Sequence, residues 1–192
     1  EPVLTIGTDW ESSASQQSGT VQQATSAELK KTVRIPSEFE GKRIFIRING
    51  TSHQAELSVN GKFVRDYWGG FCSWTADITD FVKPGEDALL ELSLERTQGL
   101  GRFIRFSPRL TEPAEIFAVP ESHIERMRFS TDFDKDYRNA TLQLWTKVSG
   151  SPDGSIRISI TGQDGKKLAV SPSTIRLPKD MDEFRYNFTV RN

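Results

Sequence analysis

The stretch Ala55–Glu86, AELSVNGKFVRDYWGGFCSWTADITDFVKPGE, decides the fold. Ala55, Leu57 and Val59 alternate with Glu56 and Ser58, the period of a strand with one buried and one wet face. Asn60-Gly61 follows at once, and a type I′ hairpin needs φ > 0 at both central residues, which these two residue types tolerate. Beyond the hairpin, Tyr67 and Trp68 precede Gly69-Gly70, and Phe71 and Trp74 follow. These aromatics have two readings: a platform on which a sugar ring stacks, or rings that close a sandwich core. In the packing reading the two glycines supply the φ > 0 of a sharp bend.

The same period of two recurs outward from this stretch. Ile44, Ile46 and Ile48 alternate with Phe45 and Arg47, and Leu90, Leu92 and Leu94 alternate with Glu91 and Ser93. Ile156, Ile158 and Ile160 form a third run, and Phe184, Tyr186, Phe188 and Val190 a fourth. Asp164-Gly165 carries the same hairpin signal as Asn60-Gly61, and SPDGS at Ser151–Ser155 marks another reversal. No segment has a convincing helical period, and TVQQATSAELKKTV reads as loop leading into strand. Short strands punctuated by turns predict an all-β protein of sandwich type.

Pro108, Pro113 and Pro120 fall close together, and proline removes ladder donors, so a boundary is expected there. The predicted domains are Glu1–Val119 and Pro120–Asn192, the second small for a sandwich. Its last strand pattern, EFRYNFTVRN, runs to Asn192, so at least one partner strand is expected to be missing. The chain begins at Glu1 rather than Met, from which an upstream segment is expected.

Composition narrows the function classes. With 25 Lys+Arg against 26 Asp+Glu among 192 residues, the net charge is −1, too small to recruit nucleic acid or an anionic membrane. No apolar run approaches the roughly 20 residues that span a bilayer. Cys72 is the single cysteine, so no intrachain disulfide forms, and it reads as a small packing residue. Asp132, Asp134 and Asp136 mimic the start of an EF-hand loop, but the required Gly and Glu positions hold Tyr137 and Gln143. A solvated turn is expected there instead. His53 and His123 lie far apart, and neither has the spacing of a metal site or a nucleophile–histidine pair. The sequons at Asn49, Asn139 and Asn187 read as coincidence. No phosphate loop, nucleophile elbow or dinucleotide fingerprint is present. No catalytic residue, metal ligand or cofactor site is predicted.

In order along the chain, AELSVNGKFV, GGF, ADITDFVKPGE and GLGRFIRF resemble the N-terminal sugar-binding jelly roll of glycoside hydrolase family 2. That family includes β-galactosidases, β-glucuronidases and β-mannosidases. HIERMRFSTDFDKDYRNATLQLWTKV and GSIRISITGQDGKKLAV resemble the start of its immunoglobulin-like second domain. The resemblance implies a jelly-roll, galactose-binding-like sandwich followed by an immunoglobulin-like one. It also places the chemistry in a (β/α)₈ barrel of about 250 residues, longer than this chain. The two carboxyl groups of the retaining route, about 5–5.5 Å apart, come from that barrel in this family. The chain alone is therefore expected to be inactive, its parent a glycosidase.

The implied partners are a carbohydrate, the barrel and a further copy of the protein, in a periplasmic or extracellular setting. One departure bears on substrate contact. Many family members carry an acidic, substrate-touching loop before the Gly-Ile-x-Arg strand, whereas LERTQGLGRF has almost no insertion and no acid between Arg96 and Arg102. Among the aromatics, Trp74 is expected in the core, and Tyr67, Trp68 and Phe71 are the candidates for carbohydrate or barrel contact. Two other functions stay open: a free-standing carbohydrate-binding module built on this loop, and a structural, adhesion-like sandwich pair.

Overall fold

The computed structural model describes residues 3–15, 26–95, 108–150, 154–177 and 182–191, the side chains of 14 and 15 excepted. The chain divides into two compact units, Glu1–Pro120 and Glu121–Asn192, and both are built of antiparallel strands.

In the first unit the strands are β1 (Val3–Ile6), β2 (Glu11–Ser15), β3 (Ser26–Arg34), β4 (Arg43–Ile48) and β5 (Gln54–Val59). They continue with β6 (Lys62–Tyr67), β7 (Trp74–Asp77), β8 (Asp87–Glu95) and β9 (Ala114–Val119). One sheet has the order β1-β9-β4-β7 and the other β2-β3-β8-β5-β6. The alternation decides which residues meet between them. Ile44, Ile46 and Ile48 of β4 are sealed, as are Leu90, Leu92 and Leu94 of β8, while the residues between them reach water. In the second sheet Leu92 stands level with Leu29 on one side and Leu57 on the other. One continuous core takes side chains from both sheets. Each fully buried Ile or Leu contributes about 1.5–3 kcal/mol relative to exposure.

The β5–β6 hairpin turns as its sequence predicts, with φ of 52° at Asn60 and 74° at Gly61. Asn60 also works as a clasp. Its Nδ2 donates to the Phe81 carbonyl at 2.8 Å, and its Oδ1 accepts the Leu89 N–H at 2.9 Å. An aspartate there would lack the donor. At Asp164-Gly165, by contrast, only Gly165 lies at positive φ, and the Gly165 N–H closes on the Gly162 carbonyl at 3.0 Å. That hairpin is a wider turn with a left-handed glycine, not the two-residue I′ form expected.

Asp77, at the end of β7, anchors the turn that follows. Burial pushes its carboxyl up, but the hydroxyl and amide of Thr79 and the Arg43 guanidinium outweigh burial, and the pKa lies below the usual value of 3.8. The native value is the depressed one, so this contribution is present above about pH 4 and is lost as pH falls through the native pKa. Asp77→Asn is therefore expected to flatten the fall in thermal midpoint between pH 5 and pH 2. A variant with the full acid slope of the parent would contradict this.

The second unit comprises β10 (His123–Phe133), β11 (Ala140–Ser149), β12 (Ser155–Arg157), β13 (Ile160–Thr161), β14 (Lys167–Ser171), β15 (Thr174–Arg176) and β16 (Glu183–Arg191). A sheet of order β10-β11-β16-β14-β13 is accompanied by the pair β12-β15. The run Ile156–Ile160 is not one strand as its alternation suggests. It breaks after Arg157, pairing first with β15 and then with β14, and its isoleucines are only partly buried. The core is small: Leu144, Ile175 and Phe188, ringed by half-buried neighbours. Met127, Phe129 and Phe133 lie opposite Thr146, Leu144 and Ala140, hence on the core face, and remain exposed. The larger sheet presents more inner surface than its two-stranded companion covers.

Candidate functional site

The aromatic loop joins β6 to β7 at one end of the first unit. Tyr67, the last residue of β6, is half-buried, and its ring stacks on Trp74 with centroids 5.4 Å apart and 20° between planes. Trp74 is 5% exposed and belongs to the core, as its place before a strand predicts. The Arg65 guanidinium lies 5.8 Å from the centre of the Trp74 ring and donates to the Thr75 carbonyl. Arg65, Trp74 and Tyr67 thus make a firm base for the loop.

Trp68 and Phe71 differ from Tyr67. Trp68 is 71% exposed and Phe71 52%. The Trp68 indole N–H donates to the Asp66 carboxylate at 2.9 Å, which restrains the ring although little packs against it. Of the three residues nominated from sequence, Tyr67 is therefore a support, and the two outward rings are Trp68 and Phe71.

The glycines act otherwise than expected. Neither Gly69 nor Gly70 has positive φ; the left-handed residue is Phe71, at 60°. A bulky residue in that region is strained and is held only by its surroundings. Here the hold is the Phe71 N–H, which donates to the Thr51 carbonyl at 2.7 Å. Gly69 is required for space: a Cβ there would lie 2.8 Å from the Tyr67 hydroxyl and 3.0 Å from its ring carbons. Cys72, expected in the packing, is exposed, because the chain at Phe71–Ser73 runs over the surface.

Beneath the loop lies a polar segment whose role sequence reading missed. Thr51, Ser52 and His53 are all buried. The Ser52 hydroxyl sits 2.8 Å from His53 Nδ1 and accepts the Arg109 N–H at 2.9 Å, while the Ser52 N–H donates to the Arg109 carbonyl at 3.0 Å. The Thr51 hydroxyl donates to the His53 carbonyl at 2.6 Å. Ser52 and His53 are buried, so this serine–histidine contact braces the segment under Phe71 that leads into β5. The signal available in the sequence was the polar run Thr51–Gln54 between two apolar strands.

Asp134 forms the expected turn between β10 and β11. Its carboxylate accepts the N–H groups of Arg138 and Asn139 and the Asn139 side-chain amide, and the Arg138 N–H leads in holding its pKa below the ordinary value. No cluster of three metal-ligating side chains occurs among the described residues. The segment 96–102, which corresponds to the family's acidic loop, lies outside the described residues.

No family model matches the chain. A β-galactosidase from Clostridium acetobutylicum is 28% identical over 141 residues, covering 71% of this chain and 16% of that protein. A rat β-glucuronidase is 23% identical over 156 residues, covering 67% of this chain and 24% of that protein. The chain thus spans well under half the length of these relatives. Among solved structures, a Bacteroides uniformis β-glucuronidase superposes with a TM-score of 0.77 at 16% identity, over 99% of this chain and 28% of that one. A Bifidobacterium dentium β-glucuronidase, complexed with coumarin-3-O-glucuronide, gives 0.75 at 14% identity, over 99% of this chain and 42% of that one. At such identities the superpositions show the fold alone. With the sequence relatives and the ordered motifs, they show that the chain resembles glycoside hydrolase family 2 proteins over part of their length, with the fold of a jelly-roll sandwich followed by an immunoglobulin-like one.

Proposed function

We propose that this chain is a non-catalytic portion of a glycosidase of the β-galactosidase or β-glucuronidase type, in which it braces the catalytic barrel and shapes the rim of the carbohydrate pocket. The observation that carries this reading is the pair of outward rings, Trp68 and Phe71, on a rigid base of Tyr67, Trp74 and Arg65. Exposed aromatics that are held in place lose little freedom when they meet a sugar or a protein surface, which favours recognition. In this reading the acid, base and nucleophile come from the barrel. That the relatives are a β-galactosidase and β-glucuronidases supports a carbohydrate substrate for the whole protein.

The test is Trp68→Ala in the full-length protein. Loss of a central aromatic contact costs about 1.4 kcal/mol or more, a tenfold rise in KM for a β-galactoside or β-glucuronide. Unchanged kinetics, together with an unchanged unfolding midpoint, would remove Trp68 from the pocket rim and the barrel contact alike. Glycan affinity in the 192-residue chain alone, lost in Tyr67→Ala or Trp68→Ala, would instead identify a self-sufficient binding module.

A further inference from the structure

The outer face of the second unit carries a feature that the proposed role does not use. Arg128, Trp145 and Arg185 stand side by side on β10, β11 and β16. Ser130, Gln143 and Asn187 form the next row of the same face. These six residues line a concavity of about 520 Å³, a volume within the range of small-ligand pockets. The Arg128 guanidinium lies 5.5 Å from the centre of the Trp145 ring, and Trp145 is half-buried between its neighbours. Adjacent strands of an antiparallel sheet are roughly 5 Å apart, so the two arginines flank the indole with about 10 Å between their backbones.

Among the described residues, neither guanidinium is paired with a carboxylate. Lys147, one row away, is by contrast matched by Glu125 at 3.0 Å. Asp132, further along β10, is engaged by the Gln143 amide at 3.1 Å, and among the described residues Glu183 is the acid on the rim.

We infer that this face is a binding surface for an acidic saccharide, with Arg128 and Arg185 taking its carboxylate or sulfate groups and Trp145 meeting a ring between them. Guanidinium forks match planar carboxylates with two parallel hydrogen bonds, and such charge-assisted bonds are the strong ones. The indole accommodates the apolar face of a pyranose ring. The hydroxyl of Ser130 and the amide of Asn187 add donors and acceptors that a hydroxyl-rich ligand can meet and a simple anion would leave unused. The inference rests on the second unit and is independent of the loop around Trp68.

Titration calorimetry on the 192-residue protein tests it, with trigalacturonate as probe and the uncharged galactotriose and a short poly-aspartate peptide as comparators. Trigalacturonate is expected to bind at least tenfold more tightly than either. Arg128→Gln and Arg185→Gln should each weaken it about tenfold, Arg185→Lys less than Arg185→Gln, and Lys62→Gln, at an exposed position of the first unit, should leave it unchanged. Both arginines are exposed, so their variants are expected to fold, which circular dichroism confirms. Absence of trigalacturonate binding, equal binding of galactotriose or poly-aspartate, or indifference to both arginine variants would overturn the inference. So would binding lost in Trp68→Ala but retained in the arginine variants, which places the sugar at the first unit's loop.

Discussion

Trp74→Ala is expected to destabilise the first unit by about 3–5 kcal/mol, the usual cost of deleting a large buried aromatic. The ring is 5% exposed, sits level with Ile48 across the sheet and carries Tyr67 stacked upon it. Its removal opens a cavity and withdraws the base from the loop at once. Against a typical total stability of about 5–15 kcal/mol, the shift in urea midpoint is large. Trp74→Phe separates packing from polarity. The indole nitrogen is buried with no hydrogen-bond partner among the described residues, so phenylalanine relieves an unmet donor while keeping most of the ring contact. The phenylalanine variant should lose less than about 1.5 kcal/mol. Equal losses in the two variants would mean that the ring is not what supports the loop.

The second large effect is at Gly150, immediately after β11, where φ is 85°. A Cβ at this position would lie 2.6 Å from the Glu121 carbonyl oxygen and 2.9 Å from the Ser122 Cα, both backbone atoms that cannot swing aside. Left-handed strain adds about 1–2 kcal/mol, and displacement of the strand entry brings Gly150→Ala to about 3 kcal/mol in all. In a unit with so small a core, that is a large share of the stability available. Gly154→Ala is the control: it has no positive φ and meets nothing within 4 Å among the described residues. The expected result is rapid proteolysis of the second unit in Gly150→Ala and parental resistance in Gly154→Ala. Similar behaviour of the two variants would refute the steric argument.

The contrast between these positions shows where sequence reasoning reaches. Trp74 was assigned to the core because it opens a strand, and a strand residue on the apolar phase has one place to go. Trp68 and Phe71 carried no such phase. Their exposure depends on the Phe71–Thr51 hydrogen bond and on the close approach of Gly69 to Tyr67, contacts between segments that no local pattern encodes. The same limit explains Cys72 and the bend at Phe71. Residue type suggested burial for the one and a glycine for the other, and the path of the loop reversed both. Arg128, Trp145 and Arg185 are separated along the chain and become neighbours only through strand register.

By itself the sequence determined the all-β class, the alternating core of the first unit and the Asn60-Gly61 hairpin. Each of these follows from local chemistry: a period of two sorts side chains between faces, and positive φ selects its residues. Tertiary structure decided which strands pair, where the Ile156–Ile160 run breaks, which aromatics face water and which charges go unmatched. Those outcomes are set by contacts between distant segments, where burial of one side chain depends on what another strand brings to cover it.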